Sequence, residues 1–141
     1  MFPGTLGDNI QHMNDRTKKI LVTGVQALVS LPFLMGGTMK LITPYDALGA
    51  DPNMGWVGDF SPTSILAIGG VELLCAVGLL ASLFVAKLGK WSSLFAAGIC
   101  ATMIGAAVTH IMRSEPITVN IVFFLMAAVV AIARKDRLKG S

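Results

Sequence analysis

The sequence predicts an all-α fold: an antiparallel bundle of four transmembrane helices with a long loop between the first two. Three observations carry that reading. Of 141 residues, 54% are hydrophobic and 13% charged, where a soluble domain carries about a quarter charged residues. The mean hydropathy is correspondingly high, at +0.72. The apolar residues gather into four runs, each long enough to cross a bilayer core as a helix.

The elements follow in order. Residues 1–19 are polar and mixed in charge, with no apolar core and no small-residue cleavage site. They read as a cytoplasmic arm, not as a secretory signal peptide. The first span covers about 20–42, with Pro32 placed to kink it. The loop over 43–61 holds Pro44, Gly49, Pro52, Gly55 and Gly58, which break any long helix. The second span covers about 62–86 and the third about 91–112. Only Lys87-Leu88-Gly89-Lys90 separates them, so they are antiparallel neighbours. The fourth, about 117–133, follows Pro116, a residue suited to a helix start. Residues 134–141 form a basic tail.

Charge sets the orientation. Arg16, Lys18, Lys19, Lys87, Lys90, Arg134, Lys135, Arg137 and Lys139 are nine of the eleven basic residues, and all fall on one side of this topology. The first loop instead carries Asp46, Asp51 and Asp59. The positive-inside rule therefore puts both termini in the cytoplasm. The sequence pI is about 9.1. Its basic residues cluster at span ends and form no basic face or known motif, so lipid headgroups are the expected partner and nucleic acid is not.

Small residues suggest packing surfaces. Ala97, Ala101, Gly105 and Thr109 recur every four residues on the third span, and Gly70 and Gly78 lie on the second. Cys75 and Cys100 are not a CxxC pair. They read as small buried hydrophobes, with a disulfide near mid-membrane as the alternative.

Ionisable groups at membrane depth need a partner, a water or a role. Lys40 ends the first span, Glu72 lies near the middle of the second, His110 is close to the outer end of the third, and Asn120 is about a turn into the fourth. Helical spacing puts Gln26, Ser30, Phe33, Gly37 and Lys40 on one face. Gly69, Glu72, Cys75 or Ala76, and Leu79 share another, and Met103, Ala106, Ala107 and His110 a third. If these faces point inward, they line one outward-opening pocket. Each residue also has a purely structural role open to it. Lys40 can snorkel; Glu72 can pair with Lys40 or stay protonated; His110 can cap its helix or bond Glu115; Asn120 can join helices.

Several chemistries are set aside. A second haem ligand at matching depth is missing, since the other histidine is His12 in the arm. No metal site is expected from a lone histidine, and there is no phosphate loop or nucleophile–base set. Catalytic residues are not assignable. A lipophilic ligand with a polar head, such as a quinone, suits apolar walls with a few polar groups.

Gly37-x-x-Lys40-Leu41, Gly70-x-Glu72-Leu73 with Leu79-Leu80, and Met103-x-x-Ala106-x-x-x-His110 occur in that order on the four-span layout. Over about 24–133 the chain thereby resembles the DoxX and DoxX-like membrane proteins. The resemblance implies a four-helix bundle of the bacterial inner membrane, with Lys40, Glu72 and His110 at the family's polar positions and Asn120 a looser match. Some members are subunits linked to quinone-reducing or quinol-oxidising systems; others are assembly factors or receptor chaperones. The additional domain of larger relatives is not seen, so no independent catalytic activity is expected. The leading expectation is an accessory or anchor subunit of a membrane oxidoreductase, with quinone as the implied cofactor and a membrane protein or second copy as partner. The rivals are a chaperone-like protein acting through helix contacts with a client, and a proton-coupled transporter.

Overall fold

The computed structural model describes the backbone of residues 6–139 and the side chains of Leu6 and of 14–139. Much of the expected arm, including the side chain of His12, and the last two residues of the tail lie outside the described residues. Among those described, every regular element is helical: α1 (Leu6–Ile42), α2 (Tyr45–Ala50), a 3-10 stretch (Pro52–Asp59), α3 (Pro62–Ala81), α4 (Ala86–Gly89), α5 (Ser92–Met112), α6 (Thr118–Arg134) and a closing 3-10 turn (Lys135–Leu138). Four segments have the length and hydropathy to cross a membrane: Asn14–Ile42, Pro62–Ala81, Ser92–Met112 and Thr118–Leu138.

The four long helices form a closed ring in the order α1–α3–α5–α6, each packed on two neighbours, with α1 on α3 and α5 on α6 the most extensive pairings. The core runs up the centre through Val29, Phe33, Ala76, Leu79, Ile99 and Val130. Phe33 and Phe123 meet edge to face, their centroids 5.6 Å apart. The outer faces are apolar as well: Leu28, Leu31, Leu74, Ile104, Leu125 and Ile132 are all exposed. An inside and an outside that are both apolar suit a hydrocarbon solvent, where only backbone polarity must be satisfied internally.

Local chemistry sets the boundaries. Helix α1 runs unbroken through Pro32 and begins well before the apolar run, so residues 6–19 of the polar stretch belong to the same helix. Ser61 caps α3 by accepting the Ser64 amide at 3.2 Å, with Pro62 at the first helical position. The helix ends at Ala81, short of the apolar run's end at Ala86. There the turn is made by Leu83, Phe84 and Val85, apolar residues that conceal a chain reversal in any hydropathy pattern. The α5–α6 turn passes through Ser114, whose φ of 57° lies in the left-handed region.

Glycines let α1 and α3 approach closely. A Cβ on Gly37 would lie 2.7 Å from the Leu73 nitrogen, and one on Gly69 would lie 2.7 Å from the Lys40 Cβ. Gly78 sits beneath the Phe95 ring and Gly98 beneath the Cys75 sulfur. Gly70, expected to serve packing, faces open space. Of the expected stripe, Ala97 and Ala101 are likewise exposed on the outer side of the bundle, whereas Gly105 and Thr109 border an internal cavity. Small residues mark a surface that permits close approach without fixing what approaches. Both cysteines are free thiols.

Towards the end carrying both termini, a polar cluster joins three helices. Gln26, fully buried, donates from Nε2 to the Leu79 carbonyl at 2.8 Å and to Ser82 Oγ at 2.7 Å. Arg134 donates to Gln26 Oε1 at 3.3 Å and to Thr23 Oγ1 at 3.0 Å. Although it opens the stretch read as a basic tail, Arg134 is only 6% exposed. It bonds to neutral acceptors and has no carboxylate partner among the described residues.

Candidate functional site

The candidate site lies at the opposite end of the bundle, and its first component is an ion pair. The faces of α1 and α3 that carry Lys40 and Glu72 are buried from Gln26 to Lys40 and from Gly69 to Leu79. The Gly37–Gly69 contact brings the two backbones together just where these side chains leave them. Lys40 Nζ donates to Glu72 Oε2 at 2.7 Å, with side-chain exposures of 9% and 8%. The Gly36 carbonyl lies 3.4 Å from the same ammonium. Those two acceptors leave one ammonium N–H. Glu72 Oε1 takes no hydrogen bond from any described residue.

The second component is the loop. Residues 45–60 fold into a compact unit whose small core, Leu48 and Val57, closes on Ile65 of α3. Tyr45 ties it off, donating from its hydroxyl to the Phe60 carbonyl at 2.6 Å. This unit presents Trp56 with Lys40 Nζ 5.6 Å from its ring centroid, a cation–π distance. Phe60 stands edge-on to Trp56 at 6.0 Å.

Between these two components and α5 and α6 lies a cavity of about 470 Å³. Its apolar walls include Trp56, Phe60, Ile68, Met103 and Val108, and its polar groups include Lys40, Glu72, His110 and Asn120. All four residues singled out from the sequence thus border one space. The hydroxyls of Thr102 and Thr109 donate back to their own helix, to the Gly98 and Gly105 carbonyls. Asn120 makes only a long contact to the Met103 sulfur, at 4.0 Å, so its amide has hydrogen-bonding capacity to spare.

At the rim, His110 Nδ1 lies 2.6 Å from Glu115 Oε2. With Nδ1 donating to that carboxylate, the neutral ring keeps Nε2 as an acceptor. Arg113 donates from Nε to Glu115 at 2.8 Å and from Nη1 to Asp59 at 3.0 Å. His110, Glu115, Arg113 and Asp59 therefore form a chain linking the cavity's edge to the loop. Glu115 is held below the usual carboxylate range, chiefly by the His110 bond and then by Arg113, whose own pKa is raised in turn by Glu115 and Asp59. Trp56, Asp59 and Arg113 were not singled out as site residues by the sequence. Trp56 carried a hint, as one of three aromatic residues, with Tyr45 and Phe60, in a loop rich in glycine and proline. Among the described residues no three histidine, cysteine or acidic side chains gather as a metal-binding group.

Residues 24–135 match the sequence model of the DoxX-like family, a stretch that includes every polar residue of the cavity. The chain belongs to the DoxX-like family. No curated protein and no solved structure matches it. As a DoxX-like protein it is a small membrane protein whose apolar helices sit in a lipid bilayer. Within that stretch Lys40, Glu72 and His110 border the cavity, and Gly37 lies at the helix crossing beside it.

Proposed function

We propose that this DoxX-like protein binds a lipophilic ligand with a polar head, of the quinone type, in the cavity beside Lys40 and Glu72, and serves as an accessory or anchor subunit of a membrane oxidoreductase. The reading places it in a bacterial inner membrane with both termini cytoplasmic, on the asymmetry of basic residues. One observation carries the ligand assignment: a buried acid–amine pair with spare hydrogen-bonding capacity borders an apolar space of about 470 Å³. That volume lies within the range of small-molecule sites. The donor set suits a head with carbonyl acceptors. Lys40 keeps one N–H, Asn120 has a free amide, and Trp56 and Phe60 offer ring faces for stacking. Glu72 Oε1 and His110 Nε2 would accept hydrogen bonds from a hydroxyl. His110 also leads outward to Glu115, a route by which a proton can leave or reach the cavity. A bound quinone supplies the capacity to take up two electrons and two protons; this chain supplies the pocket, the orientation and the hydrogen bonds.

The test is a titration of the purified protein with a short-chain ubiquinone analogue, followed by tryptophan quenching in a Trp91→Phe background so that Trp56 alone reports. Saturable quenching is expected, weakened at least tenfold by Glu72→Gln or Lys40→Met. Quenching that is non-saturable and unchanged in both variants would remove the quinone-type ligand.

A second reading has its own support. Helix α5 leaves Ala97 and Ala101, one turn apart, exposed on the outer side, which suits close approach by a helix of a client or of a second copy. In that case Ala101→Leu abolishes co-purification of the partner while ligand titration stays unchanged.

A further inference from the structure

We propose that the groove between the α3–α5 turn and the closing 3-10 turn binds the headgroup of an anionic phospholipid. It is a space of about 990 Å³ at the end carrying the termini, far from the cavity beside Lys40. Lys87, Lys90 and Arg137 all border it, and no acidic residue does. None of these three cations forms an ion pair among the described residues. Their convergence is built by the fold: Gly89 is buried in the turn, and a Cβ there would lie 3.7 Å from an Arg137 nitrogen. The guanidinium of the C-terminal segment is thus laid against the loop bearing the two lysines. Like charges brought together with no counter-charge are unfavourable unless an anion joins them.

The apolar surroundings say which kind of anion. Phe84 projects from the groove's edge at 86% exposure, and Trp91, 44% exposed, lies beneath Lys90 Nζ at 5.3 Å from its centroid. Aromatic rings beside cations at a span end are the arrangement found at headgroup depth. A free phosphate would use the charges and leave the rings in water. A phospholipid uses both, its phosphodiester between the cations and its first methylenes on Phe84 and Trp91. The second groove at this end offers a contrast. It is bordered by Lys18 and Lys135 but also by Asp136, so its charge is partly cancelled.

The experiment compares lipids on the intact protein in neutral detergent. Phosphatidylglycerol, phosphatidylcholine and inorganic phosphate are titrated separately, with bound species counted by native mass spectrometry. One phosphatidylglycerol should be retained per chain in preference to phosphatidylcholine, and inorganic phosphate should not displace it. The triple variant Lys87→Gln/Lys90→Gln/Arg137→Gln should bind it about a hundredfold more weakly, from roughly a fivefold factor per basic residue near an anionic surface. Lys18→Gln/Lys19→Gln/Lys135→Gln, which removes as much charge elsewhere at the same end, should leave retention intact. Equal losses in both triple variants, equal retention of phosphatidylcholine, or displacement by phosphate would each overturn the proposal. A circular dichroism spectrum matching the parent shows that a loss in the first variant is not unfolding.

Discussion

Removing one member of the Lys40–Glu72 pair should destabilise the bundle far more than removing both. At 2.7 Å, two unit charges attract by about 6 kcal/mol at an effective dielectric of about 20. Bringing each charge out of water costs several kcal/mol, so the intact pair contributes little net stability. In Glu72→Leu the lysine keeps its desolvation cost and loses its counter-charge, retaining only the Gly36 carbonyl and the Trp56 ring face. The expected loss is about 3–5 kcal/mol. Lys40→Met strands the carboxylate in the same way. The double variant Lys40→Met/Glu72→Leu removes both desolvation costs and should lie within about 1 kcal/mol of the parent, or above it. Reversible unfolding of the four proteins in mixed micelles closes a double-mutant cycle. A coupling energy above about 2 kcal/mol is expected; single variants that lose less than about 0.5 kcal/mol each, with additive effects, would refute the pairing as an energetic unit.

Further outcomes follow from other contacts. Gly69→Ala should cost about 1–3 kcal/mol by overpacking against Lys40 Cβ, whereas Gly70→Ala, facing open space, should be neutral or gain up to about 1 kcal/mol; thermal melts of the two side by side distinguish them. Gln26→Leu leaves Arg134 Nε without its partner, while the Ser82 hydroxyl keeps its bond to the Leu79 carbonyl, and should cost about 1–3 kcal/mol without changing ligand titration at the other end of the bundle. Because Glu115 is held below its ordinary pKa, its contribution is complete above the normal glutamate range, about 4.3, and is lost as the pH falls through its lowered value in the folded protein. Protection of the amides over 53–59, taken relative to intrinsic exchange, should therefore fall only once the pH drops below the normal glutamate range, and in Glu115→Gln it should already be reduced at neutral pH; protection independent of both would break the link from His110 to the loop.

The bundle and its inward faces were legible because the polar residues keep helical spacing within otherwise apolar runs. Glu72 and Lys40 stand out at membrane depth, and the 3.6-residue repeat alone assigns each a face. Their pairing was one of two open alternatives until the Gly37–Gly69 contact fixed the separation of α1 and α3. Arg134 was illegible for a different reason: in sequence it opens a basic run, and only the turn of α6 towards Gln26 and Thr23 carries it inside. The loop hid its order because its small core draws on Leu48, Val57 and Ile65, three residues too far apart to form any periodic pattern. The exposed Ala97 and Ala101 on α5 show the limit of composition, since alanine permits a close neighbour without naming one.

The separate small core under Trp56 makes the bundle and its cover two modules. Leu48 and Val57 lean on Ile65 at the start of α3, and Arg113, just past the end of α5, reaches the segment at Asp59. Change in residues 45–60 can therefore reshape one wall of the chamber while the membrane-crossing scaffold keeps its stability. Related chains could in this way accept different guests by exchanging a single short stretch.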